Sequence, residues 1–128
     1  MPFTITWEDG GVYKLFTGVV SFQEYSRSQE LVLGDVRTDS LHYVINDFLA
    51  VEGYSLTTDQ VKYVAAVNLG ASITNRHLQI AYVTKDLRVI AMLRLAAVFS
   101  SFKLRYFSTL EEARAWAGLR CKAPIAAN

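Results

Sequence analysis

Two short stretches of this chain, Leu41–Phe48 and Leu78–Thr84, are largely apolar with no alternation. In the first, Leu41, Tyr43 and Ile45 fall on one face of an extended strand, and Val44 and Phe48 on the other. A strand with one wet face alternates apolar and polar residues, whereas near-continuous apolarity is what a strand covered on both sides needs. The flanking sequence supplies the cover. Ser21-x-x-Glu24 and Thr57-x-x-Gln60 are capping boxes, in which each side chain satisfies a free backbone donor of the other residue. Asp86 can cap a third helix running to about Phe99, and Ser108 with Glu111, or Thr109 with Glu112, a fourth reaching Trp116. Gly34 and Gly118 are the expected stops of the first and last helices, and Gly70 should weaken or end the second.

Ahead of these units, Phe3, Ile5 and Trp7 alternate with Thr4, Thr6 and Glu8, the period of a half-buried strand. Glu8-Asp9-Gly10-Gly11 then signals a hairpin into a partner running from Val12 to Val20, with Gly18 marking a bulge or a close backbone approach. Asp35–Ser40 reads as loop and Leu49–Leu56 as a connection. Leu104 and Tyr106 alternate with Lys103 and Arg105, as on an exposed edge strand. The order β-β-α-β-α-β-α-β-α predicts an α/β sandwich on a mixed, mostly parallel sheet opened by an antiparallel hairpin.

A chain of 128 residues buries enough surface for one core without metals or disulfides. Residues 1–118 are expected to form that single domain, with 119–128 a frayed tail. Thirteen Lys and Arg against 12 Asp and Glu leave no electrostatic footprint of a nucleic-acid binder. The lone Cys121 has no disulfide partner and no histidine at zinc-ligand spacing, so neither metal nor other cofactor is expected. No apolar run reaches the ~20 residues of a membrane span, and the first residues lack the pattern of a secretory leader; the expected location is the cytoplasm.

Several local strings carry a family resemblance: Trp7-Glu8 with Gly11-Val12-Tyr13; Ile45-Asn46-Asp47-Phe48 with Val51-Glu52; and Val83-Thr84-Lys85-Asp86 leading into Ala91-Met92-Leu93-Arg94. Tyr106-Phe107 and Thr109-Leu110-Glu111-Glu112-Ala113-Arg114-Ala115-Trp116 complete the set. In this order, over residues 3–117, the chain resembles the SpoIIAA-like branch of the STAS fold (sulfate transporter and anti-sigma factor antagonist). The resemblance implies a STAS-type sandwich and no known chemistry. Anti-sigma factor antagonists of this fold switch by phosphorylation of a serine in an Asp-Ser-Ser-Gly-Leu string at a helix start. The corresponding stretch here, Tyr54–Gln60, holds the hydroxyls of Ser55, Thr57 and Thr58 without that string. Asp59 would also repel a phosphate, so Thr57 or Thr58 reads first as an N-cap, and a phosphorylation-switched antagonist is the weaker alternative.

Ligands of open α/β sheets usually sit beyond the carboxyl ends of the strands. Asn46, Asp47, Thr84, Lys85, Asp86, Ser108 and Thr109 are expected there, with Asp47, Thr84, Asp86 and Ser108 as the candidate rim of a pocket. Asp47 reads chiefly as an acceptor of backbone N–H groups. His42 and His77 stand at strand starts, on the opposite edge. No nucleophile elbow, phosphate loop, dinucleotide fingerprint or zinc-protease string is present, so no catalytic residue is assigned. The third helix is apolar nearly all round. Arg88, Met92, Leu95 and Phe99 form one stripe, with Ile90, Leu93 and Ala97 on the other side, and a sheet can cover only one of the two. Either the stripe meets a protein partner or a second copy of the chain, or neighbouring helices and the segment at Pro124 and Ile125 cover it. The leading expectation is a non-catalytic interaction module. The alternative is a carrier or sensor holding a small apolar molecule or lipid between helices and sheet.

Overall fold

The computed structural model describes residues 3–74, 77–98 and 103–126, and within them the side chains outside 65, 68–74, 95–98, 103 and 119–126. Strands β1 (Phe3–Glu8), β2 (Gly11–Ser21), β3 (Tyr43–Ser55), β4 (Gln79–Val83) and β5 (Lys103–Phe107) alternate with helices α1 (Phe22–Leu33), α2 (Thr58–Thr74), α3 (Leu87–Val98) and α4 (Leu110–Ala126). They build one five-stranded sheet in the order β1-β2-β3-β4-β5. β1 and β2 are antiparallel, and every later pairing is parallel.

The strand order decides where the helices go. Each parallel crossover steps to the next strand in the same direction, and crossovers are right-handed, so α1, α2 and α3 share one face. Their cover buries Val12, Phe16, Val20, Val44, Phe48 and Ile80 with Tyr25, Val32, Val89 and Leu93. Among the described residues, α4 alone lies on the other face, where Ala113 and Ala117 pack on Tyr43, Ile45, Ala81 and Val83. Small residues on α4 let that helix approach the sheet closely.

Both capping boxes form. Ser21 Oγ accepts from Glu24 N while Glu24 Oε1 accepts from Ser21 N, and Thr57 and Gln60 bond reciprocally. Asp86 and Thr109 cap α3 and α4 through Arg88 N and Glu112 N. Several boundaries differ from expectation. Val36–Ser40, expected as loop, is a 3-10 helix capped by Asp35. Leu49–Leu56, expected as a connection, is mostly strand: β3 continues to Ser55, paired with the second half of β2. Neither Gly70 nor Gly118 ends its helix; α2 runs to Thr74 and α4 to Ala126, into the stretch read as a tail. A glycine costs a helix only about 1 kcal/mol, which packing readily outweighs.

The long β2–β3 pair is irregular in two places. Between Leu15 and Thr17 of β2, β3 advances from Asp47 to Ala50, and between Gly18 and Val19 it advances from Val51 to Gly53. The extra residues therefore lie on β3, and Gly18, at a φ of 68°, supplies the left-handed backbone opposite the second. Gly11 has a different constraint: a Cβ there would overlap the ring of Tyr43.

Candidate functional site

The expected rim does not converge. Asp47 is buried and points to the α4 face, where it accepts from Tyr13 Oη at 2.6 Å and from Leu49 N at 3.0 Å. Leu49 N lies at the first β3 irregularity, so the carboxylate satisfies a donor beside the interrupted ladder. Burial and the Asp47 carboxylate together push the Tyr13 phenol well above its ordinary value. Ser108 is exposed and donates to Glu112 Oε1 at 3.3 Å. Thr84 and Asp86 alone share a depression, a groove of about 330 Å³ with Phe48, Leu49, Val51, Tyr54 and Lys85. Thr84 Oγ1 accepts from Asp86 N at 3.1 Å, and Asp86 is ion-paired with Arg88 at 3.1 Å. The physical reason for the dispersal is topological. A ligand crevice forms where the strand order reverses and neighbouring crossovers diverge to opposite faces; this order never reverses.

His42 and His77 are exposed, away from that groove. At the start of α2, Ser55, Thr57 and Thr58 are exposed, and Thr57 Oγ1 already accepts from Gln60 N at 3.2 Å. Among the described residues, no cluster of three or more His, Cys, Asp or Glu could hold a metal ion. No helix among the described residues is long and apolar enough to cross a membrane.

On α3 the core side is Val89 and Leu93, one turn apart. Met92 packs against the same core, half-buried, while Arg88 is exposed. Leu95 and Phe99, like Pro124 and Ile125, lie outside the described side chains. The described solvent side is set by Leu87, Arg88, Ala91 and Arg94, with Leu87 79% exposed. Between α2, α3 and the sheet lies an apolar cavity of about 80 Å³, walled by Tyr25, Phe48, Tyr54, Val64, Met92 and Leu93 among others. Phe48 and Tyr54 also line the Thr84–Asp86 groove, so the two spaces adjoin. Burial raises the Tyr54 phenol to about 12, with the nearby Asp86 carboxylate acting in the same direction.

A polar row beneath α1 went unread in the sequence. Lys14, Asn46 and Tyr82 are register partners across β2, β3 and β4, so they stand side by side on the three-helix face. All three are buried, at 3%, 1% and 4% exposure. Lys14 Nζ donates to Ser28 Oγ at 3.2 Å, Ser28 Oγ donates to the Tyr25 carbonyl, and the Tyr25 and Tyr82 hydroxyls bond at 2.9 Å. Loss of hydration lowers the Lys14 ammonium from its ordinary value to about 7. The signal was present. In Val12-x-Lys14-x-Phe16, Val44-x-Asn46-x-Phe48 and Ile80-x-Tyr82-x-Thr84, a polar residue holds the middle core-facing position of each strand. A second network ties the hairpin to α4. Arg114 donates to both Glu8 oxygens at 3.0 and 2.8 Å, and Tyr43 Oη donates to Glu8 at 2.6 Å. The Arg114 contact, helped by Tyr43, holds the Glu8 carboxyl below its ordinary value against the opposing effect of burial.

These features sit on a SpoIIAA-like, STAS-type fold. An uncharacterized protein of the DUF3478 family with a SpoIIAA-like fold, from Shewanella loihica PV-4, superposes with a TM-score of 0.57 at 15% identity, over 90% of this chain and 91% of that one. The anti-sigma factor antagonist SpoIIAA in its unphosphorylated form gives 0.63 at 8% identity, over 87% and 93%. An anti-sigma factor antagonist from Mycobacterium paratuberculosis gives 0.52 at 19% identity, over 90% and 92%. No family model and no curated protein matches the chain in sequence. At these identities the likeness establishes the fold and leaves the function to be argued from the residues.

Proposed function

We propose that the chain is a non-catalytic, cytoplasmic interaction module that meets a protein partner, or a second copy of itself, through the solvent side of α3. One observation carries this reading. Leu87 is 79% exposed at the first turn of a helix whose core side is already filled by Val89 and Leu93. Leu87 and Ala91 are one turn apart and can be buried together by a partner, with Arg88 and Arg94 as a charged border and Met92 adapting between core and contact. The similar folds of two anti-sigma factor antagonists support a binding role by analogy. Sedimentation velocity on the wild type and Leu87→Glu tests self-association: a mass above the monomer should fall to the monomer in the variant. A wild-type monomer at every concentration removes the homodimer. A photo-cross-linking side chain at position 91 should then trap a partner of defined mass, lost on adding Leu87→Glu; a trapped species that survives the substitution refutes the α3 surface.

The apolar cavity supports a second reading, a carrier for a small apolar molecule or the end of a lipid chain. At about 80 Å³ it would take only a short segment, with Thr84 and Asp86 at the adjoining polar groove. Native mass spectrometry of freshly purified protein should show an adduct that Leu93→Trp displaces, and an adduct-free spectrum counts against the carrier.

A further inference from the structure

We propose that Lys14 is a covalent amine site for a small neutral aldehyde, held in the small cavity beneath α1. This inference is independent of the α3 contact. The cavity measures about 30 Å³, and Lys14, Tyr25, Gln29, Asn46 and Tyr82 contribute its polar lining beside apolar side chains such as Val32. That volume holds a water or two, which suits a ligand of one or two carbons. No carboxylate lines it, so an ammonium at Nζ has no counter-charge and the neutral amine is the favoured state. A desolvated neutral lysine is the nucleophilic form of this side chain.

Two further details select the ligand. Asn46, 1% exposed, places a buried Oδ1 with no hydrogen-bond partner among the described residues in the lining of the same cavity. A bare carbonyl oxygen repels an anion and welcomes a hydroxyl donor. Ser28 accepts from Nζ while its own proton is committed to the Tyr25 carbonyl, so the serine engages an N–H and leaves the nitrogen lone pair free to react. In the reaction, the lone pair attacks the carbonyl carbon and one N–H proton passes to the carbonyl oxygen, giving a carbinolamine. Its hydroxyl is the donor that Asn46 Oδ1 lacks. Loss of that hydroxyl with the remaining N–H proton, as water, forms the C=N bond. Amine and aldehyde give imine and water, with no oxidant or reductant.

Acetaldehyde with sodium cyanoborohydride at pH 7 fixes any imine as an N-ethyl lysine, which peptide mapping locates. Because the amine at Lys14 is far less protonated than an ordinary lysine at this pH, Lys14 should be modified at least about tenfold faster than the exposed Lys62 and Lys85. A merely structural buried lysine would be the slowest of the three, and that order overturns the proposal. Benzaldehyde, larger than the cavity of about 30 Å³, should label Lys62 and Lys85 and spare Lys14; equal preference for Lys14 with both aldehydes refutes the size-limited site. Asn46→Leu should lower Lys14 labelling relative to Lys85 in the same molecule, and an unchanged ratio removes Asn46 from the site. Should that variant not fold, the wild-type order of modification still decides.

Discussion

Replacing Lys14 by methionine should make this protein more stable. The side chain is 3% exposed, and burial lowers its proton affinity from an ordinary 10.5 to about 7. In the unfolded chain the amine binds a proton throughout that interval, whereas in the folded chain it does not. Unfolding therefore takes up a proton, and wild-type stability rises with pH between about 7 and 10.5. Below pH 7 the full penalty applies, on the order of 5 kcal/mol at 1.36 kcal/mol per pH unit. The Phe16 and Tyr25 rings, with centroids 5.7 and 5.2 Å from Nζ, offset only a part, since such contacts contribute roughly 0.5–2 kcal/mol. Methionine keeps the apolar stem, adds no charge and forfeits the Ser28 bond, a loss of about 1 kcal/mol. The variant should gain about 3 kcal/mol at pH 7, and its advantage should shrink towards zero near pH 10. Urea unfolding at pH 6.5, 8 and 9.5 reads both quantities. Parallel pH profiles for the two proteins, or a less stable variant at pH 6.5, would refute the buried neutral amine.

Tyr13→Phe removes one of the two donors on the buried Asp47 and should cost about 1–3 kcal/mol, read by denaturant melts, with Asp47→Asn partly restoring the loss. Gly11→Ala drives a methyl into the Tyr43 ring and should destabilise by at least the 1–3 kcal/mol typical of overpacking; a neutral result would mean that Tyr43 has room to move. Glu8 titrates below its ordinary value in the folded state, so its contribution is present above about pH 4.5 and disappears as the pH falls through the folded value. Glu8→Gln should thus lower the melting temperature at pH 7 and converge with the wild type in acid, and an equal deficit at every pH would argue against the Arg114 pair.

The hairpin, the four helix starts and the alternation of strand with helix were legible because each rests on local chemistry: Gly10 in the turn, Ser21 with Glu24, Thr57 with Gln60, Asp86, Thr109. What escaped is set by neighbours distant in sequence. Leu49–Ser55 looks like a connection, with Glu52 and Gly53 breaking its apolar pattern, and is held as strand by pairing with β2. The candidate rim was placed at the carboxyl ends of the strands, but no local signal reports whether the strand order reverses there to open a crevice, and it does not. Asp47 was placed at that rim although its parity along β3 sends it to the α4 face. Lys14, Asn46 and Tyr82 each look unremarkable within one strand. Their meaning appears only when the register sets them abreast.

The unequal strand lengths have a mechanical consequence. β1 stops against Phe16 and β4 against Asp47, so Thr17–Ser21 and Ala50–Ser55 project past the rest of the sheet as a two-stranded parallel ribbon, paired only with each other among the described residues. A ribbon with two bare margins and an interrupted ladder frays more readily than the five-stranded slab behind it. Val20 and Tyr54 lie on it and wall the apolar cavity. Each excursion of the ribbon therefore loosens that wall of the cavity.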